Sequence, residues 1–119
     1  MNINKTNPGI QEAYAELKFI MTQAGTAVPT GNFLNNTLLP KQTKPSFERS
    51  GTGQYNLHYT GGFNGILFFH SCLDQGPAGR IILLTKISTN TINMIVTDAT
   101  GTPADLEGIA YISVEVWPN

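Results

Sequence analysis

Short apolar stretches separated by turn residues recur along the chain from residue 46 onward. Residues 54–59 alternate tyrosine and leucine with polar side chains, and residues 91–97 alternate aliphatic residues with threonine and asparagine. Strict alternation of this kind predicts half-buried β-strands. Residues 65–73 are apolar on both faces, which predicts a central strand, and residues 80–87 form another run that is rich in isoleucine and leucine.

Turn residues divide these stretches at intervals of about ten residues. Breaks are predicted at the Gly61-Gly62 pair, at residues 74–79 with their glycines and proline, and at the short connection 88–90. Residues 109–117 close the chain with another alternating run, which places its aliphatic residues on one face. Five strands with this spacing predict a sandwich or a barrel.

The first 45 residues fit two different secondary structures. Apolar residues recur at helical spacing between Ile10 and Ala24, with Asn7 as a candidate cap, and this pattern slightly favours a helix. Apolar and polar side chains also alternate from Ala15 to Thr22, as they do in a strand. Periodicity alone therefore leaves both structures open for this segment.

Composition narrows the class of protein. The chain has 119 residues, a formal net charge of −1, 40% hydrophobic residues and only 13% charged residues, which is about half the usual charged share. Its polar surface is supplied by 14 threonines, 11 asparagines and 12 glycines, a composition typical of β-rich structural and binding proteins. The length predicts one domain.

The charge and hydropathy patterns also exclude some partners. A net charge near zero lacks the electrostatic footprint of nucleic-acid binding, so we expect no nucleic-acid partner. No apolar run approaches the roughly 18 residues of a membrane span, and residues 1–9 lack the layout of a signal peptide. We therefore expect no membrane partner.

One candidate for chemistry is the pair His70 and Cys72, which share one face of a predicted strand. A zinc site needs about four ligands, and a thiol nucleophile needs a third orienting group that the sequence does not supply. We therefore expect both side chains to serve packing, with the cysteine acting as a small hydrophobe. As the only cysteine, Cys72 also excludes an intramolecular disulfide.

Two loop segments offer weaker chemical signals. Asp98, Asp105 and Glu107 could supply oxygen ligands to calcium, but their spacing matches no calcium loop, and Asp98 fits a turn better. The segment Gly51-Thr52-Gly53 resembles the start of a phosphate-binding loop, but a strand follows it and the required lysine is missing. We predict no catalytic residue, metal or cofactor, and hence no enzyme.

The aromatic residues suggest both a core and a surface. Tyr55 and Tyr59 share a face with Leu57, so we expect them in the core, whereas Tyr111 and Trp117 lie opposite the aliphatic face of the last strand. Tyr111 and Trp117 are thus the candidate surface for another subunit or a glycan. We also predict the following core positions: Phe68, Ile82, Ile95, Ile112 and Val114.

One layout of motifs spans most of the chain. It begins with Tyr14-Ala-Glu-Leu-Lys-Phe-Ile-Met-Thr-Gln23, Gly25-Thr-Ala-Val-Pro29 and Phe33-Leu-Asn-Asn-Thr-Leu38, and continues with Phe47-Glu-Arg-Ser-Gly-Thr-Gly-Gln-Tyr55 and Ile112-Ser-Val-Glu-Val-Trp-Pro118. This layout resembles small β-sandwich virion structural proteins, of the head-fibre or decoration type, from phages and prophages of Bacteroidetes. The resemblance implies a strand at residues 14–23 and transfers no site residues.

The resulting prediction is an all-β, antiparallel β-sandwich of the jelly-roll or immunoglobulin-like type with about seven strands. Residues 14–119 would form this single domain, and residues 1–13 an N-terminal extension suited to docking on a neighbouring subunit. The resemblance implies a virion protein, made in the bacterial host cytoplasm, that decorates a capsid or belongs to a head or tail fibre. Its expected partners are further copies of itself, with a homotrimer as one compatible assembly, and the major capsid protein. The alternative function is a carbohydrate-binding module that adheres to host or mucosal glycans.

Overall fold

The computed structural model describes residues 15–38, 44–73 and 79–118. These residues form eight β-strands and contain no helix that could cross a membrane. The strands are β1 (Ala15–Gln23), β2 (Thr30–Asn36), β3 (Ser46–Gly51), β4 (Gln54–His58), β5 (Ile66–Leu73), β6 (Ile81–Ser88), β7 (Thr91–Thr97) and β8 (Gly108–Trp117).

The strands form two antiparallel four-stranded sheets that pack face to face. Sheet A has the order β2-β1-β8-β5, and sheet B has the order β3-β4-β7-β6. The predicted antiparallel β-sandwich is thus confirmed, and the described residues form eight strands where about seven were predicted. A turn occurs within the predicted connection 88–90, and another occurs at residues 52–53.

The strand order distinguishes this sandwich from one of the two predicted types. β1 pairs with β8 and β4 pairs with β7, while β5 and β6 lie at the same side of the sandwich in different sheets. In an immunoglobulin constant domain the first and last strands belong to different sheets. Here the first and last strands, β1 and β8, pair with each other in sheet A, so the strand order differs from that of an immunoglobulin constant domain.

The first described segment is a strand, so the helical alternative is wrong for residues 15–23. β1 pairs with β8 over nine successive positions, from Ala15 opposite Val116 to Gln23 opposite Gly108. Its alternating apolar side chains all enter the core, which a helix of the same sequence could not achieve against a flat sheet. The remainder of the ambiguous segment, residues 10–14, and the proposed extension 1–13 lie outside the described residues.

The core lies between the two sheets and confirms part of the predicted list. Tyr55, Tyr59, Ile112 and Val114 are buried as predicted. The other large side chains in the core come from both sheets and from the loops that cover their ends: Leu17, Phe19, Met21, Leu57, Phe63, Ile92, Met94 and Leu106.

Three predicted core positions need correction. Ile95 lies between the buried Met94 and Val96, so the pleat directs its side chain to the outer face. Phe68 pairs with Glu115 on the outer face of sheet A and is 53% exposed. Ile82 packs against the core but is only half-buried, because β6 is an edge strand. The prediction that Phe68 and Ile95 are core residues is wrong.

Candidate functional site

β5 lies at the edge of sheet A and not at its centre, so the predicted central position is wrong. One side of β5 pairs with β8 from Ile66 opposite Trp117 to Leu73 opposite Ala110. Within the described residues no strand pairs with its other side. The sequence pattern was apolar on both faces, but in the fold only one of those faces meets the core.

Large apolar side chains are exposed along β5 and along the neighbouring edge strand β6. Phe68 and Ile66 of β5 are 53% and 48% exposed, and Leu83 of β6 is 60% exposed. Ile81 and Ile87 of β6 are exposed to a similar degree. β5 and β6 are adjoining edge strands of different sheets, so Ile66 and Phe68 face outward from sheet A and Ile81 and Leu83 face outward from sheet B; we call these two edge strands together the β5/β6 side. Clusters of this kind mark interaction sites more reliably than single exposed residues do.

β5 differs from the other three edge strands in the regularity of its edge. β2, β3 and β6 each carry one extra residue relative to the neighbouring strand, at Leu34, Ser50 and Ile87 respectively. Such bulges disrupt the ladder and hinder the addition of another strand. The pairing of β5 with β8 has no such irregularity over eight residues, and β5 has neither a proline nor a charged residue. β5 therefore lacks the features that protect an edge.

The opposite side of the sandwich is closed by aromatic packing. Phe33 of β2 stacks on Phe47 of β3 with 6.1 Å between ring centroids, and Phe19 packs against both rings at 5.4 and 5.6 Å. A Cβ atom on Gly31 would lie 2.6 Å from Cε2 of Phe47, so glycine leaves the space that this ring needs. The two sides of the sandwich therefore differ: among the described residues, six of the eight exposed large hydrophobic side chains lie on β5 and β6.

The predicted surface residues Tyr111 and Trp117 lie on the outer face of sheet A. Each is half-buried, and each pairs with a β5 residue: Tyr111 with Cys72, and Trp117 with Ile66. Trp117 follows Tyr111 by six positions along β8, a distance of about 20 Å, so the two aromatic rings cannot stack on the same sugar ring. The indole Nε1 of Trp117 donates a hydrogen bond to Glu115 Oε1 at 3.2 Å.

His70 and Cys72 share the outer face of β5, and both are exposed. The expectation that they serve packing is therefore wrong. The imidazole Nε2 of His70 lies 4.0 Å from Glu115 Oε2, and the hydrogen bond of Cys72 goes to the adjacent carbonyl of Leu73. The described residues contain no group of three potential ligands that could hold a metal ion.

Asp98 has the local role that the sequence indicated. Its Oδ1 accepts hydrogen bonds from the backbone N–H groups of Thr100 and Thr102 and from the Thr100 hydroxyl. These bonds, with the Thr100 hydroxyl as the largest contribution, lower the pKa of Asp98 below its usual value. The carboxylate thus closes a turn.

Asp105 has a different environment, which the sequence did not reveal. Its carboxylate is nearly buried and accepts hydrogen bonds from Arg49, from the Gly53 N–H and from the Tyr55 hydroxyl. Arg49 is the main cause of a lowered pKa for Asp105. Burial is the main cause that raises the pKa of Tyr55 to about 12. These bonds use both carboxylate oxygens in joining β3 and β4 to the loop before β8.

Polar side chains around the Glu48 carboxylate form a connected row on the outer face of sheet B. Glu48 Oε1 accepts a hydrogen bond from Asn56 and lies 3.1 Å from His58 Nε2. His58 Nδ1 lies 3.1 Å from the Thr91 hydroxyl, and Asn93 donates to Asn56 Oδ1. This row accounts for part of the threonine- and asparagine-rich composition, because these side chains cover the outer face of the strands and hydrogen-bond to one another.

Sequence reasoning did not single out Ile66, Ile81, Leu83 and Ile87 as surface residues. The available signal was that residues 65–73 and 80–87 contain more apolar residues than one buried face can use. We interpreted that excess as burial inside one chain, whereas the fold leaves it on the β5/β6 side.

In comparisons with known proteins, no family model, curated protein or solved structure matches this chain. The strand pairing of the described residues by itself defines the class of this protein, an eight-stranded antiparallel β-sandwich.

Proposed function

We propose that this protein is a structural module that functions by protein–protein assembly, and that its β5/β6 side binds the partner. The observation that carries this proposal is the regular edge of β5, which has no aspartate, glutamate, lysine or arginine and carries the exposed side chains of Ile66 and Phe68. An edge of this kind can add a strand from another protein, with backbone hydrogen bonds that need no particular side chains.

The energetic reason for assembly is the cost of leaving the β5/β6 side in water. Removing apolar surface from water is favourable by about 25 cal/mol per Å². Half-exposed phenylalanine, leucine and isoleucine side chains on two adjacent strands therefore gain free energy from any partner that covers them.

The more specific proposal is a phage virion protein, in capsid decoration or in a head or tail fibre. Its support is the resemblance of the motifs between Tyr14 and Pro118, together with a low charge and a threonine- and asparagine-rich surface. The proposed partners are other copies of the chain and virion proteins such as the major capsid protein. In this role the protein is not an enzyme and acts without nucleic acid.

Virion incorporation of two matched variants tests this proposal. Phe68→Ser changes the β5/β6 side, and Leu34→Ser changes a residue of nearly equal exposure, 54%, on the bulge of β2. Mass spectrometry of purified particles measures the ratio of this chain to the major capsid protein. We expect wild type and Leu34→Ser at equal levels, and Phe68→Ser at least tenfold lower. Absence of wild type from particles would overturn the virion role, and equal incorporation of all three would overturn the role of the β5/β6 side.

A second proposal is carbohydrate binding on the outer face of sheet A. The observation that favours it is the half-buried Trp117 indole, held by Glu115 beside exposed Ile66. An indole face packs against sugar rings, and a neighbouring carboxylate accepts hydrogen bonds from hydroxyl groups. Glycan-array binding that Trp117→Ala abolishes and Tyr111→Ala retains would support this site. Binding that both variants retain would contradict it.

A further inference from the structure

We infer that the folded chain joins β1 to β2 by a covalent amide bond between the side chains of Lys18 and Asn35, with Glu16 as the proton relay. The observation that carries this inference is a contact of three side chains on the outer face of sheet A. Asn35 Nδ2 donates a hydrogen bond to Glu16 Oε1 at 2.6 Å, and Lys18 Nζ lies 3.6 Å from the same oxygen atom. An amine, a carboxamide and a carboxylate therefore meet at one point. This cross-link is independent of the proposed assembly function.

The strand register places the amine and the carboxamide side by side. Lys18 of β1 is the direct partner of Asn35 of β2, next to the bulge at Leu34. Side chains that oppose each other in an antiparallel pair have Cβ atoms about 5 Å apart, so the four methylene groups of lysine give its amine enough reach to arrive at Asn35 Cγ. Glu16 precedes Lys18 by two positions and therefore shares its face of the strand.

Glu16 is held in position by the end of β2. Its backbone N–H donates to the Thr37 hydroxyl at 2.8 Å, and its carbonyl accepts the Thr37 N–H at 3.0 Å. The Glu16 side chain is 15% exposed, whereas the Lys18 side chain is 37% exposed and has room to approach its partner. Groups that are held together in a reactive geometry react far faster than the same groups free in water. The fixed carboxylate thus positions the Asn35 amide for attack.

The bond forms by attack of an uncharged amine on a carbonyl carbon. An ammonium group has no lone pair, so Lys18 Nζ first gives a proton to the Glu16 carboxylate. The lone pair of Nζ then attacks Asn35 Cγ, and the bond from Cγ to Nδ2 breaks. Nζ loses a second proton as the amide forms. Nδ2 takes up both protons through Glu16, to which it is already hydrogen-bonded, and departs as ammonium.

Sheet B contains a similar site in which the amine is replaced by an imidazole. Asn56 Nδ2 donates to Glu48 Oε1 at 3.1 Å, which repeats the contact between carboxamide and carboxylate. The third group is His58, whose Nε2 lies 3.1 Å from the same oxygen. An acylated imidazole is an intermediate that water hydrolyses, so this site forms no lasting bond. Glu48 therefore provides a matched control for Glu16.

The cross-link would secure an edge strand. Among the described strands, β2 pairs only with β1. A covalent bond between residues 18 and 35 would restrict the unfolded chain as a disulfide does, and it would thereby stabilise the folded protein.

Intact-mass spectrometry of the denatured full chain tests the inference. We expect the wild-type mass to fall short of the sequence mass by one ammonia molecule. Lys18→Arg keeps the positive charge but has no nucleophilic amine, so it should have its full sequence mass and unfold about 10 °C lower than wild type. At a fixed time after synthesis, the linked fraction should be at least about tenfold lower in Glu16→Gln and unchanged in Glu48→Gln.

Tryptic digestion locates the bond. Trypsin cleaves after an unmodified Lys18, so the unlinked chain gives the separate peptides 6–18 and 19–41, whereas the linked chain gives a single peptide 6–41 that lacks one ammonia. Cyclic imide formation at the sequence Asn64-Gly65 would remove the same mass, but it would leave the cleavage after Lys18 intact.

Two results would overturn the cross-link: a wild-type chain with its full sequence mass, or a mass loss that Lys18→Arg retains. Equal linked fractions in Glu16→Gln and wild type would overturn the proton relay. None of these measurements involves virion particles, so their outcome is distinguishable from failure of the proposed function.

Discussion

Arg49 of β3 and Asp105 of the loop before β8 form a two-point ion pair across 56 residues of sequence. Arg49 Nε donates to Oδ1 at 3.2 Å, and Nη2 donates to Oδ2 at 2.9 Å. The Gly53 N–H and the Tyr55 hydroxyl complete the carboxylate's hydrogen bonds at 2.9 Å each. These charge-assisted hydrogen bonds to the nearly buried carboxylate form only in the folded chain. Asp105 therefore stabilises the fold at one end of sheet B.

Asp105→Asn should lower the free energy of unfolding by about 3 kcal/mol, because it leaves the partly buried Arg49 without its counter-charge. Glu107→Gln is the matched control, since Glu107 is half-exposed and lies 3.7 Å from Arg80. For that surface pair we expect a loss below about 1 kcal/mol. Urea unfolding followed by circular dichroism measures both. Equal losses would show that the Arg49–Asp105 pair stabilises the fold no more than the Arg80–Glu107 pair does.

The stability contributed by Asp105 should disappear at low pH. Its pKa is lowered in the folded chain, chiefly by Arg49, so the folded state binds a proton more weakly than the unfolded state does. The stabilisation is therefore fully present above the unfolded value of about 3.9 and is lost as pH falls through the folded pKa.

The difference in unfolding free energy between wild type and Asp105→Asn should accordingly decrease as pH falls below about 4. Asp98 and Glu48, whose pKa values are also lowered, are present in both proteins, so their contributions cancel. A difference that stays constant down to about pH 2 would contradict the assignment.

Tyr55→Phe should cost about 1–2 kcal/mol, although it removes a single oxygen atom. The hydroxyl donates to Asp105 Oδ1 and accepts the Leu106 N–H at 3.0 Å, and both groups would lose a buried partner. Tyr111→Phe, on the outer face of sheet A, is the control and should change stability by less than about 0.5 kcal/mol. Thermal unfolding of the two variants side by side gives the comparison.

Gly53→Ala should destabilise the protein by about 3 kcal/mol, whereas Gly51→Ala two residues away should be close to neutral. Gly53 has φ +67°, and a Cβ there would lie 2.3 Å from the Val96 carbonyl oxygen. Around Gly51 there is nothing within 4 Å of the corresponding position. The free energy of unfolding in urea separates the variants, and a tolerated Gly53→Ala would mean that the turn can shift.

Phe19→Ala and Phe68→Ala compare a core phenylalanine with an exposed one. Phe19 has no exposed surface and contacts Phe33 and Phe47, so its removal should cost about 3–5 kcal/mol. Phe68 should contribute less than about 1 kcal/mol to the unfolding of the dilute chain, because half of it is already in water. A large loss for Phe68→Ala under dilution would place it in the core after all.

Local pattern predicted most of the strands because alternation records which side chains meet the core. Tyr55 of β4 and Tyr59 directly after it, and Ile112 and Val114 of β8, were assigned to the correct face for that reason. The pattern misled where a strand was apolar on both faces. Phe68 was assigned to the core because local sequence reports only that a side chain avoids water, and says nothing about what covers it.

The chemistry of the loops was predicted unevenly for a similar reason. Asp98 bonds only to residues two and four positions away, so its turn was readable from the sequence. Asp105 takes its partners from residues about 50 positions earlier, and no spacing rule relates it to Arg49 or Tyr55. The exposure of Cys72 could not be predicted from the sequence either, since strand alternation shows which residues share a face but not whether that face meets the core.

The amino-acid sequence by itself determined the antiparallel sandwich, because strand periodicity and turn chemistry act between neighbours along the chain. Only the tertiary structure decided which strands lie at the edges and which apolar face remains uncovered. β8 pairs with β1 on one side and with β5 on the other, and within the described residues no strand pairs with the far side of β5, so β5 is an edge. The exposed β5/β6 side is therefore a property of the assembled sheets, and local sequence patterns do not specify it.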